Sequence, residues 1–261
     1  TRLFVGLAAI FDALLQQQQN SWLSLQLFAQ GQSMLQKTLI ANETMADAHL
    51  GLGLLYFAGA DLPSLLRRFW GNMKQQNSEE AMHHLQRAVE GVGFTREIAQ
   101  TFLARIYELE HRNEDAIALG QKLQETFPEN GYYGLLTGRS QCADNQYTSC
   151  ATTLGDLATR LETAEAVVVH RHDRFDLYYF WGRALNETRQ YSAAFTAFRK
   201  AVNEDPRTLR DETLWAKYHL AMLYERRGQT KTARQLYRTL LRGRNVEDLH
   251  HQTQQRLARL R

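Results

Sequence analysis

The chain has 261 residues, 44% hydrophobic and 23% charged, an ordinary globular balance that excludes a disordered or collagen-like chain. Only 3 prolines interrupt it, which favours long helices over many short strands, and no run of 18 apolar residues exists to cross a membrane as a helix. The net charge of +3 is uneven: residues 1–130 hold 10 Lys+Arg against 14 Asp+Glu, while residues 131–261 hold 21 against 14, so the second half either attracts an acidic partner or forms a solvated helical surface.

The chain opens at Thr1 without Met, which suggests a processed or trimmed, possibly secreted, chain. The apolar run at residues 3–10 continues into Phe11, Ala13, Leu14 and Leu15 at helical spacing and predicts a packed first helix. Phe28, Gly31 and Leu35 predict a second helix, so residues 1–45 read as a degenerate leading pair. Leu52, Gly53 and Tyr56 mark the next helix. Its partner, with Ala81, Leu85 and Ala88, is displaced by 16 extra residues. Within that insertion, residues 58–77, the side chains of Leu62, Leu65, Leu66, Phe69 and Trp70 fall on one helical stripe behind Asp61 and Pro63. Two readings stand for it: an extra helix packed on its own array, or a helix that docks on a partner or a membrane surface.

Beyond residue 95 a period emerges. Ala104, Ala116 and Pro128 are spaced by 12 and 12, as are Gly182, Ala194 and Pro206. A small residue in one helix and another early in the next let two antiparallel helices approach closely, and the proline ends the second helix. Gly138, Tyr147, Cys150 and Leu154 form a poorer copy; Ala221, Tyr224, Gly228, Ala233 and Tyr237 form a good one. This pattern resembles the tetratricopeptide repeat family, over roughly residues 20–242. The resemblance implies an all-α solenoid of helix hairpins forming a right-handed superhelix. The expected organisation is one array over 1–261: leading helices 1–45, a repeat at 46–94 carrying the insertion, repeats at 97–130, 131–164, 175–208 and 214–245, and a capping helix at 246–261. The Gly-Leu-Gly helix followed by Leu-Pro is also similar to some envelope-associated bacterial members, which favours a periplasmic or envelope location over a cytoplasmic one.

Two further departures carry chemistry-capable residues. The join at Ala164–Asp173 is ten residues longer than regular and contains His170, His172 and Asp173, but nothing fixes a further ligand by spacing, so no metal is expected. Cys142 and Cys150 lie symmetrically about a hairpin turn. They either form a disulfide, which implies an oxidising compartment, or Cys150 is free and fills the small-residue position where other copies have Ala.

In this family the first helix of each hairpin lines a concave surface. Carried onto this chain, that face holds Arg105, Tyr132, Arg139, Tyr179, Arg183, Trp215 and Tyr218. Arg105, Arg139 and Arg183 occupy one repeat position, with aromatics between them, which suits an acidic, extended or helical peptide. The alternative is that these arginines pair with Glu108 and Glu187 on their own helices. No nucleophile elbow, phosphate loop, zinc-protease motif or paired-carboxylate motif appears, so the expected function is non-catalytic protein binding within a larger assembly, without cofactor or small-molecule substrate. A peripheral membrane or nucleic-acid adaptor using the basic half is the second reading; the mixing of Arg with Asp and Glu makes nucleic acid the weaker part of it.

Overall fold

The computed structural model describes residues 2–16, 21–60, 74–91, 95–163, 167–208 and 210–260. Among these residues thirteen helices follow one another: α1 Arg2–Gln16, α2 Ser21–Ala41, α3 Ala46–Ala60, α4 Lys74–Glu90, α5 Thr95–Leu109, α6 Asn113–Thr126, α7 Gly131–Ala143, α8 Tyr147–Glu162, α9 Arg171–Glu187, α10 Tyr191–Glu204, α11 Asp211–Arg226, α12 Thr230–Arg242 and α13 Leu249–Arg259. They divide into two compact units, Thr1–Leu119 and Gly120–Arg261.

The helices are of two kinds. The second helix of each hairpin is amphipathic: α12 buries Ala233, Tyr237 and Leu240, spaced by four and three residues, and leaves the opposite face to water. Outside the leading hairpin, the first helix is buried on more than one side. α7 buries ten of its 13 residues, because α8 packs on one face and α9 on another. Small residues make this possible. A Cβ placed on Gly138 would lie 2.3 Å from Leu154 Cδ2, one on Gly182 would lie 2.9 Å from Phe198 Cδ1, and one on Gly53 would lie 2.7 Å from Leu85 Cδ2. The small residues of the second helices, Ala81, Ala116, Cys150, Ala194 and Ala233, are fully enclosed. Burying side chains as large as Phe198 and Tyr237 stabilises by about 2–3 kcal/mol each.

The hairpin turns repeat in the backbone as well. His111, Asn145, Arg189 and Gly228 each adopt positive φ, between 58° and 73°. The amide that follows each donates back across the turn: Arg112 to Tyr107, Gln146 to Gln141, Gln190 to Leu185 and Gln229 to Tyr224, at 2.8–2.9 Å. This six-residue closure satisfies the last carbonyls of the first helix and aims the chain into the second. α6 and α10 stop at Thr126 and Glu204, two residues before Pro128 and Pro206.

In the N-terminal unit α1 and α2 form a hairpin, followed by α3 against α4 and by α5. α1 buries Gly6, Ala9, Ile10 and Ala13, but Phe4, Phe11 and Leu15 on its other side are exposed, so the first helix is packed on one face only. Residues Leu62, Leu66, Phe69 and Trp70 of the insertion lie outside the described residues.

In the C-terminal unit Cys142 and Cys150 are joined by a disulfide across the α7–α8 turn, with Cα atoms 5.4 Å apart. The longer join contributes an extended stretch: Val168 donates to Glu129 O at 2.8 Å and Gly131 donates to Val168 O at 3.0 Å, as an isolated parallel bridge at the start of α7. α13 closes the unit, with Leu249 fully buried and Leu257 and Leu260 packed on the same cluster.

Candidate functional site

α9 and α11 are the first helices of two consecutive hairpins and present the same face. Between them and the 243–247 segment lies a cleft of ≈ 930 Å³ lined by Tyr179, Phe180, Arg183, Glu187, Asp211, Glu212, Trp215, His219, Arg244, Asn245, Val246 and Glu247. Its composition combines aromatic surface with six formally charged side chains.

The floor is made of rings stacked in sequence. Tyr179 is buried, edge-on to Phe180 at 5.3 Å and to Phe198 at 6.3 Å. His219 lies on Phe198, and Tyr218 meets Trp215 edge-on at 5.7 Å. Burial first pushes the Tyr179 phenol up to about 12, with Arg183 opposing the shift and Glu212 and Glu247 adding to it. Burial first, and Arg183 second, lower His219 to about 4, which keeps its imidazole neutral near pH 7. Its Nδ1 is buried and has no hydrogen-bond partner among the described residues.

The walls are charged. Arg183 leans towards the Phe180 ring, 5.8 Å from its centroid, and Arg244 pairs with Asp211 at 2.7 Å. Four carboxylates therefore face two guanidiniums in the cleft.

The residues singled out from the sequence divide into three groups. Tyr179, Arg183 and Trp215 line the cleft together. Tyr218 is 6% exposed and belongs to the core beneath it, packed on Tyr237. Arg139, on α7, has a side chain only 12% exposed and donates to Asp176 Oδ2 at 3.2 Å; Arg210 holds the other carboxylate oxygen at 2.7 Å. Burial pushes the Asp176 carboxyl upward, and the two guanidiniums oppose that shift. Tyr132, at the start of α7, is half-buried and edge-on to Tyr133. Arg105 lies in the N-terminal unit and pairs with Glu108 one turn along α5. The identical repeat position thus serves an intrahelical pair at 105, an interhelical network at 139 and a cleft wall at 183.

Repeat-face reasoning missed Phe180, His219 and the 243–247 segment. His219 follows Tyr218 in the sequence and could have been found as a polar residue between core positions, but nothing in the sequence places residues 243–247 over α9 and α11. Among the described residues no group of three or more His, Cys, Asp or Glu is arranged to hold a metal ion. His170 and His172 stack on each other, with centroids 5.6 Å apart, and His172 Nε2 lies 3.3 Å from Asp173. No described helix is long and apolar enough to cross a membrane.

Comparison with known proteins bears on the fold. The tetratricopeptide repeat profile matches residues 215–242, the span of α11 and α12. No curated protein matches the sequence. Among solved structures, PilF of Pseudomonas aeruginosa is similar over 98% of this chain and 99% of its own, with a TM-score of 0.67 at 14% identity. MamA from Desulfovibrio magneticus RS-1 is similar over 73% of this chain and 94% of its own, with a TM-score of 0.54 at 18% identity. A chain of the Cut9–Hcn1 hetero-tetramer of the APC/C is similar over 98% of this chain and 46% of its own, with a TM-score of 0.60 at 10% identity. The repeated hairpin, its small-residue contacts, its turn geometry and these likenesses agree on the fold: a helical-hairpin solenoid like that of tetratricopeptide-repeat structures, with residues 215–242 matching the repeat itself.

Proposed function

We propose that the protein is a non-catalytic binding scaffold that holds a segment of a partner protein in the α9–α11 cleft, as part of a larger assembly. The observation that carries this reading is the cleft: ≈ 930 Å³ of open space walled by Phe180, Arg183 and Trp215 on rigid helices. Such a surface suits peptide capture, because ring faces give rigid apolar contact and charged side chains at the edge set register. The fold neighbours include a chain from a hetero-tetramer, which is consistent with a place in an assembly. A protein partner rather than a small molecule fits a cleft that is open along its length. The Cys142–Cys150 bond supports an oxidising, extracytoplasmic compartment, since disulfides persist there and are rare in the cytosol.

The test is a native capture experiment with mass spectrometry on wild type and on Trp215→Ala. The variant is expected to lose the partner while keeping its helical circular dichroism. A partner that co-purifies equally well with both moves the binding surface away from the cleft.

A further inference from the structure

We propose that the segment bound in the cleft presents a cationic side chain, Lys or Arg, which is held between the Glu187, Glu212 and Glu247 carboxylates and the Phe180 and Trp215 rings. This rests on the reading of the cleft as the binding site and names the chemistry of what it takes.

The argument begins with charge. Asp211 and Arg244 neutralise each other at 2.7 Å. The cleft as a whole is lined by four carboxylates, Glu187, Asp211, Glu212 and Glu247, against two guanidiniums, Arg183 and Arg244. His219 does not redress the balance, because burial and Arg183 keep it neutral. Although the second half of the chain is basic as a whole, an anionic side chain seated among these carboxylates would meet an excess of like charge at short range, while a cationic one would meet opposite charge. The arginine row read from the sequence pointed to an acidic peptide, but Arg139 is committed to Asp176 and Arg105 is paired with Glu108. Of the three arginines, only Arg183 lines the cleft.

Geometry agrees with charge. Glu187, Glu212 and Glu247 line one and the same cleft rather than separate surfaces. Phe180 and Trp215 line it as well. A cation over an aromatic face gains quadrupole attraction in addition to the carboxylate contacts, and a long basic side chain buries its methylenes on the same rings. Elsewhere in this unit Arg210 lies over Phe175 at 4.9 Å and Arg226 over Tyr191 at 4.0 Å, which is the same pairing within the chain itself.

The experiment uses the full chain and three synthetic peptides of equal length that carry lysines, glutamates or serines at the same positions around one leucine. Binding is read by calorimetry at low salt, with circular dichroism as a check on folding. The lysine peptide is expected to bind most tightly, to weaken as salt rises, and to lose about tenfold or more in affinity for the Glu187→Gln, Glu212→Gln, Glu247→Gln triple variant. Preference for the glutamate peptide, lost on Arg183→Glu, would overturn the cation and leave the cleft as the binding site. Equal binding of all three peptides, reduced by Trp215→Ala but not by the glutamine substitutions, would also overturn the cation alone. Binding of none of the three would count against both readings.

Discussion

The imidazole of His219 lies flat on the ring of Phe198, centroids 4.9 Å apart and planes within 6°. The stack places a titratable group under the cleft with its Nδ1 buried and unpaired. Protonating it there would bury a charge beside Arg183. Its folded pKa of about 4 lies below the ordinary histidine value of 6.5, so the unfolded chain binds a proton that the folded chain refuses. Stability from this group is complete above pH 6.5 and is lost as pH falls towards 4, by up to about 3 kcal/mol. A urea midpoint measured at pH 7.5 and pH 5 should fall in acid, and His219→Phe should reduce that fall. The reduction will be partial, because His84 in the N-terminal unit is also lowered to about 4, by burial first and by His49 and His83 next. His49 Nε2 donates to Glu43 O at 2.9 Å, so its Nδ1 accepts from His84 Nδ1 at 2.8 Å, and that arrangement cannot survive a proton on both rings. An unchanged acid response in His219→Phe would show that the stack is indifferent to charge.

Gly138 lets α7 and α8 touch. Its missing Cβ would stand 2.3 Å from Leu154 Cδ2 and 2.5 Å from Cγ, and Leu154 is itself fully buried. Alanine improves helix propensity by about 1 kcal/mol, but forcing a methyl into a closed contact costs about 1–3 kcal/mol. Gly138→Ala is therefore expected to be destabilising, by up to about 2 kcal/mol net in chemical denaturation. A gain in stability would mean that the hairpin opens without cost.

Arg189 sits at φ 62° in the α9–α10 turn, where the equivalent turn between α11 and α12 has Gly228 at φ 73°. A non-glycine residue in this region carries a steric penalty of about 1 kcal/mol or more. Arg189→Gly should raise the thermal midpoint, with a stability gain near 0.5–1 kcal/mol after the added chain entropy of glycine is subtracted. Asn145, in the matching turn of α7 and α8, should gain less from the same change, since asparagine tolerates the conformation better than arginine.

The Cys142–Cys150 bond closes a short loop of eight positions. Its removal by reduction, or by Cys142→Ser with Cys150→Ala, should lower stability by about 2 kcal/mol through the freed unfolded chain. The fold itself should persist, because Cys150 occupies the position held by Ala194 and Ala233 in the neighbouring hairpins. Matched denaturation curves with and without reductant check this, and complete unfolding on reduction would contradict it.

The sequence by itself determined the hairpin. Helical spacing, small residues twelve apart and a closing proline are local or near-local signals, and each reflects a contact between helices that are consecutive in the chain. Gly182 against Phe198 is legible for that reason, sixteen residues apart in every regular copy. Three residues picked from their repeat position, Tyr179, Arg183 and Trp215, line one cleft. What only the tertiary structure decided was the use made of the repeat face. Arg139 meets Asp176 from another hairpin, Tyr218 sinks into the core, and residues 244–247 join α9 and α11 in lining the cleft. Those contacts join residues about 20 to 70 positions apart along the chain, where no periodic spacing links one side chain to the next. The balance of charge in the cleft is a sum over such contacts, so it cannot be read from the count of arginines.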